Sequence, residues 1–179
     1  MKAQEILLNL DSSLAKRKAA AVTILKNQHL LPDLISIIVQ NEKEYSLKAL
    51  MAFEILSREH FRAIQEYTPQ LVDAGKFYLD SPSRRYLSKI YGQAIHADNG
   101  NANSFNLPSI VKKKIIELSF LWLISNEQTS VKVFSMQNLF DLRKEEKWIS
   151  EELKAAIEKE FSVSSQGFKP RATKILRKL

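Results

Sequence analysis

Apolar residues recur along most of the chain at steps of three and four, the spacing of a helix with one buried face. Strict alternation of apolar and polar residues, which is typical of strands, is not sustained anywhere. Ser, Thr and Pro stand where helices would begin, as at Ser13, Thr68-Pro69 and Pro108-Ser109. The pattern therefore predicts an all-α protein of about ten helices joined by short turns.

Alternate helices begin with similar sequences and share one basic position. The predicted helices of this group lie near residues 13–26, 46–58, 83–96, 130–143 and 168–179. Their shared basic residues are Arg17, Lys48, Arg84, Lys132 and Lys169. The spacing is about 37 residues once a polar insertion over 97–108 is allowed for, and such a period indicates a repeat of helical pairs. We call these five residues the basic column.

Three of the repeat openings, Leu47-Lys48, Val131-Lys132 and Phe168-Lys169, resemble the second helix of HEAT and armadillo repeats. The openings Ser83-Arg84 and Lys16-Arg17 lack the apolar first residue. The resemblance implies a right-handed α-α superhelix, a solenoid of four to five helical pairs that forms a single domain over 1–179. In such a solenoid, stacking of the pairs buries a continuous core that no single pair could form.

Composition narrows the possible chemistry. The 179 residues include no Cys, which excludes disulfides, a thiolate nucleophile and Cys-ligated metal. The formal net charge is +7, and a basic patch at the C-terminal end accounts for much of it: Arg171, Lys174, Arg177 and Lys178. Because no apolar run is long enough to span a bilayer and no leader sequence is recognisable, we expect a cytoplasmic protein without membrane contact.

The basic column has two interpretations. Its cations could form a row on the concave face and bind an acidic or phosphate-bearing partner. Alternatively, each could bond carbonyls or acids of a neighbouring repeat and form an internal ladder. The histidines at 29, 60 and 96 are interpreted as cation-capable residues at helix ends rather than as a metal site. No cofactor is predicted.

The sequence favours a non-enzymatic helical-repeat scaffold that binds a protein or peptide on its concave face, because no catalytic motif is recognisable. The alternative is a nucleic-acid-binding HEAT-like protein related to alkylpurine DNA glycosylases, since some of these enzymes are built from HEAT-like repeats. In that alternative Glu54 would act with Tyr86, Tyr91 or Trp122. The sequence leaves the oligomeric state open.

Overall fold

A computed structural model describes residues 2–100 and 105–179, and all of its regular structure is helical. The all-α prediction is confirmed. The described ranges contain ten α-helices: α1 Ala3–Leu8, α2 Leu14–Lys26, α3 Leu31–Val39, α4 Ser46–Glu59, α5 Thr68–Ala74, α6 Ser81–Asn99, α7 Ser109–Ile124, α8 Thr129–Asp141, α9 Trp148–Phe161 and α10 Lys169–Leu176. Short 3-10 turns follow α2, α4 and α5.

The chain divides into two compact units, unit 1 over 1–105 and unit 2 over 106–179. The division falls inside the predicted insertion, part of which (101–104) lies outside the described residues. Helix α6 continues to Asn99, so the insertion begins later than position 97. The single domain over 1–179 stays a prediction.

In unit 1 the helices form two rows. We call α2, α4, α6, α8 and α10 the second helices, and α1, α3, α5, α7 and α9 the first helices. In unit 1 α2 packs against α4 and α4 against α6, while α3 packs against α5. Between the rows lies an apolar core with large buried side chains such as Leu50, Phe53 and Tyr91.

Unit 2 has the same kind of neighbours. Helix α7 pairs with α8 and α9 pairs with α10, while α8 also packs against α10 and α7 against α9. Its core includes Trp122, Leu139 and Phe168, which are fully buried. The right-handed superhelix itself stays a prediction.

The helices begin close to the Ser, Thr and Pro signals of the sequence, but the residue that caps the helix is not always the expected one. The Ser13 side chain accepts a hydrogen bond from the Lys16 amide and caps α2 as expected. Helix α6 is capped by Asp80, whose carboxylate accepts from the Ser83 amide at 2.8 Å, instead of by a serine. Ser46 is the first residue of α4 and its hydroxyl bonds Asn41.

Several helix bounds differ from the predicted ones, and one helix was not predicted. Helix α1 was not recognised as an element because its six residues show less than two turns of periodicity. The apolar pattern after Thr68-Pro69 predicts a helix to about Leu79, but α5 ends at Ala74 and gives way to a 3-10 turn. The pattern further along the chain predicts a helix from Glu145 to Phe161, whereas α9 begins three residues later, at Trp148. Within the described part of the chain, no helix is long and apolar enough to cross a membrane.

Candidate functional site

The most unusual side chain of unit 1 is the carboxylate of Glu54. It lies on the same line of α4 as half-buried Met51 and exposed Arg58, three and four residues away. That line faces outward, yet the Glu54 side chain is only 2% exposed. Its burial therefore comes from side chains that fold over it from the neighbouring helices.

Three cations cover this carboxylate. Arg17 on α2 donates from Nη1 to Oε2 at 3.0 Å, Lys89 on α6 donates from Nζ to Oε1, and Arg58 lies one turn further along α4 with Nη1 3.7 Å from Oε1. The side chains of Arg17 and Lys89 are 14% and 21% exposed. Glu54 thus connects all three second helices of unit 1.

The buried ring of Tyr86 completes this group. The Arg17 and Arg85 guanidinium carbons lie 5.9 and 5.8 Å from the ring centroid, and Lys89 Nζ lies 6.0 Å from it. At these distances the ring quadrupole attracts each cation. We call Arg17, Glu54, Arg58, Tyr86 and Lys89 the Glu54 cluster.

A second carboxylate extends the cluster toward solvent. Glu59 lies 3.1 Å from Lys18 Nζ and 3.1 Å from Arg58 Nη2. The hydrogen bond from Lys18, followed by that from Arg58, lowers the pKa of Glu59 below its usual value. Lys18 is half-exposed and Arg58 is 39% exposed, so both cations remain accessible to a partner.

Glu59 also borders an open pocket of about 560 Å³ at the ends of α2 and α4. We call it the Phe61 pocket; its lining residues are Leu25, Gln28, Glu59, His60, Phe61, Arg62 and Ala63. The Phe61 ring is held edge-on against Phe105, with centroids 4.9 Å apart. Arg62 is exposed and makes no hydrogen bond or ion pair with a described residue.

The basic face of unit 1 is defined here as the Glu54 cluster, Arg85 beside its Tyr86 ring, the outer ion pairs of the cluster and the Phe61 pocket. It contains six cations, Arg17, Lys18, Arg58, Arg62, Arg85 and Lys89, but only two carboxylates, Glu54 and Glu59. Such a surplus creates a positive local potential that attracts anionic groups.

The other members of the basic column bond the ends of first helices. Lys48 donates to the carbonyl of Leu8, the last residue of α1, and Arg84 donates to the Tyr78 carbonyl just after α5 and its 3-10 turn. Lys132 pairs with Glu160 near the end of α9, and the Lys169 ammonium lies 5.8 Å from the Phe161 ring centroid. Whether any of them also binds a partner stays a prediction.

The predicted C-terminal patch lies on and after α10. Arg171 donates to the Gln137 side chain on α8, while Lys174, Arg177 and Lys178 are exposed. The structure therefore places this patch in unit 2, away in sequence from the basic face of unit 1.

The aromatic residues named for the glycosylase alternative do not share one environment. Only Tyr86 belongs to the Glu54 cluster. Tyr91 is fully buried and donates to the Leu71 carbonyl at 3.1 Å, and Trp122 lies in the core of unit 2.

The three histidines lie at or near helix ends, in the 3-10 turn after α2, at the end of α4 and in the last turn of α6. Among residues 2–100 and 105–179, no group of three or more His, Asp and Glu side chains is placed to hold a metal ion.

Sequence reasoning singled out Glu54 and Arg17 but missed Lys18, Arg58, Arg62, Arg85 and Lys89. One signal was available, because Arg58 follows Glu54 by four residues and such a spacing favours an ion pair on a helix. No family profile, curated protein or solved structure matches the chain.

Proposed function

We propose that this protein is a non-enzymatic helical-repeat scaffold of the HEAT and armadillo type that binds a partner protein on its second helices. The observation that carries the proposal is the row order in unit 1, where α2, α4 and α6 pack in sequence. Helical repeats of this order present an extended surface made of equivalent helices, and such surfaces bind partners.

The polar chemistry of that surface supports binding. The basic face has six cations and two carboxylates. Several of the cations are exposed to solvent, including Lys18, Arg62 and Arg85. Exposed charges of this kind steer an oppositely charged partner into contact and set its orientation.

Site-specific photo-crosslinking tests the proposal with a matched pair of positions. The photoreactive residue p-benzoylphenylalanine replaces Gln93, which lies on second helix α6, or Gln70, which is exposed on first helix α5. We expect protein adducts from position 93 in cells of the source organism and several-fold fewer from position 70. Equal yields from both positions, or adducts only with nucleotides, would contradict the proposal.

Nucleic-acid binding is the second candidate, favoured by the uneven charge. Residues 100–179 carry 14 Lys and Arg against 9 Asp and Glu, and three exposed cations follow each other at Lys174, Arg177 and Lys178. Fluorescence anisotropy with short DNA and RNA across a salt series tests it. Binding that weakens steeply as salt rises would support this function, since it reports the neutralisation of several phosphates.

A further inference from the structure

We infer that the basic face of unit 1 binds an acidic peptide segment that inserts one large apolar side chain into the Phe61 pocket. The inference deepens the proposed function and rests on it, because it names the kind of partner that the second helices would take. It combines three observations: the charge of the face, the solvent exposure of its outer cations, and the residues that line the pocket.

The charge of the face calls for an anionic partner. Of its six cations, Arg17 and Lys89 are held inward by Glu54 and serve the packing of α2, α4 and α6. The other four lie at the surface: Lys18, Arg58, Arg62 and Arg85. Those four exceed the single surface carboxylate, that of Glu59, by three charges. These positive charges would repel a basic peptide.

The outer cations can change partners at little cost. Lys18 and Arg58 contact Glu59 in exposed ion pairs, and such pairs contribute little to stability. Arg62 has no ion pair with a described residue. Acidic side chains of a bound segment could therefore engage these cations without disrupting the packing below them.

The Phe61 pocket fits an apolar anchor. Leu25, Phe61 and Ala63 supply apolar lining, whereas Gln28, His60 and Arg62 supply polar groups. It is an open depression of about 560 Å³, so a side chain can enter it directly from solvent. Because Phe105 packs against the edge of Phe61, the pocket is partly formed before a partner arrives. An apolar side chain in a formed pocket beside cations is the usual composition of a binding hot spot.

A nucleic acid fits this face less well. Single strands bind without sequence preference by stacking bases on exposed aromatic faces. The Tyr86 ring is only 5% exposed and is approached by three cations of the protein itself. Among the lining residues that the structure describes, Phe61 is the only Phe, Tyr or Trp, so the pocket offers no row of rings on which successive bases could stack.

The test uses the full-length protein and three fluorescein-labelled nonapeptides. One has a central Phe flanked by Glu, the second has Ala in place of the Phe, and the third has Lys in place of every Glu. Anisotropy is measured at 50 and 200 mM NaCl. We expect the Phe peptide to bind at least ten-fold more tightly than the Ala peptide, to weaken as salt rises, and the Lys peptide not to bind.

Two matched variants locate the site. Lys18→Glu with Arg62→Glu reverses two outer cations of the face, whereas Lys43→Glu with Lys76→Glu makes the same charge change at exposed positions elsewhere in unit 1. We expect the first double variant to lose at least ten-fold in affinity and the second less than three-fold. Ala63→Leu, which fills the pocket without changing charge, should remove the preference for Phe over Ala.

Each other outcome overturns the inference. Equal affinity for the Phe and Ala peptides would eliminate the anchor, and equal losses in the two double variants would mean unspecific attraction. Tighter binding of a single-stranded oligonucleotide that depends on Lys18 and Arg62 would assign the face to nucleic acid. Crosslinking at position 93 would still report protein partners if no peptide bound, so the scaffold proposal and the peptide inference can fail separately.

Discussion

A carboxylate that is 2% exposed must be compensated for the water it has lost, and Glu54 obtains that compensation from three helices at once. Its charge is matched by Arg17 and Lys89, which lie on helices that flank α4. The compensation is incomplete, because the buried Nε of Arg17 has no hydrogen-bond partner among the described residues. We therefore expect the Glu54 cluster to specify how α2, α4 and α6 align more than it adds net stability.

Glu54→Gln tests that role. The amide keeps the size of the side chain but leaves the mostly buried Arg17 and Lys89 without a carboxylate. Breaking a fully buried pair in this way costs about 3–5 kcal/mol. Since both cations retain some contact with water, we expect a smaller loss of about 2 kcal/mol, measured by urea unfolding followed by far-ultraviolet circular dichroism.

Arg58→Gln provides the control for Glu54→Gln. Arg58 is 39% exposed and its ion pair with Glu54 is long, at 3.7 Å, so its loss should cost less than about 1 kcal/mol. Similar losses for the two variants would mean that Glu54 is not the centre of the cluster.

Asp11 offers a titration that reports a single ion pair. Its carboxylate accepts a hydrogen bond from Lys16 Nζ at 2.7 Å and another from the Ser13 amide at 2.9 Å. These bonds, that from Lys16 above all, lower the pKa of Asp11 to about 2. A lowered folded-state pKa contributes stability that is present above the unfolded-state value of 3.8 and is lost as pH falls toward 2.

Carbon-detected NMR of the Asp11 carboxyl should give a midpoint near pH 2. In Lys16→Met the midpoint should rise toward 3.8. An unchanged Asp11 midpoint would show that Lys16 does not hold this carboxylate in solution.

At the scale of helices, the basic column has a local explanation. The start of a second helix lies beside the end of a first helix, where carbonyls lack intrahelical partners and carry partial negative charge. Lys48 bonds such a carbonyl at Leu8, and Arg84 bonds the carbonyl of Tyr78. Arg17 and Lys132 of the same column pair with carboxylates instead, so two of its five members meet this need.

Tyr78 links α3 to the segment that precedes α6. Its buried hydroxyl donates to the Ile38 carbonyl at 2.8 Å. Tyr78→Phe would leave that carbonyl without this donor, and we expect a loss of about 1–2 kcal/mol in the free energy of unfolding. Tyr45→Phe, in a half-buried tyrosine of the same unit, should change stability by less than half as much; equal losses would contradict the assignment.

The buried hydroxyl of Tyr78 also limits the stability of the fold at alkaline pH. Burial raises the pKa of Tyr78 to about 12. A pKa raised above the unfolded value of 10.0 contributes stability that is present below pH 10 and is lost as pH rises toward 12. The tyrosinate absorbance at 295 nm should therefore include a late component, toward pH 12, that is smaller in Tyr78→Phe; a late component of equal size in the variant would contradict it.

Helices were predictable from the sequence where local signals are strong. Ser13 and Pro32 lie where helix starts were expected, and the buried faces of α4 and α6 follow the apolar period. The helix α1 and the end of α5 were not predictable from the sequence, since a six-residue helix and a 3-10 turn are too short to show a helical period.

The candidate site was predictable only in part. Glu54 stood out as an acid on an apolar helix, and Arg17 as a member of the basic column. Lys89 and Arg62 did not, because their role depends on which helices pack side by side. The Phe61 pocket depends on a 3-10 turn and on Phe105, 44 positions further along the chain, and no local pattern announces such a contact.

At the scale of the whole molecule, the part of the chain with the larger net charge is not the part that contains the basic face. Residues 1–99 carry 13 basic and 11 acidic side chains, a net charge of +2, whereas residues 100–179 carry a net +5. Net charge alone would direct attention to the C-terminal patch. The basic face lies in the less charged part of the chain, where its cations are concentrated by packing and not by composition.

The last prediction separates the effect of the C-terminal patch from that of the basic face. Replacing Arg171, Lys174, Arg177 and Lys178 by Gln lowers the formal net charge from +7 to +3. Long-range attraction to polyanions should fall, so the variant should elute from heparin at lower salt. Affinity for the acidic Phe peptide should change by less than three-fold at 150 mM salt, because the variant keeps every cation of the basic face and salt screens charges that a bound peptide does not contact. A ten-fold loss, equal to that of Lys18→Glu with Arg62→Glu, would mean that the overall charge, and not the basic face of unit 1, recruits the peptide.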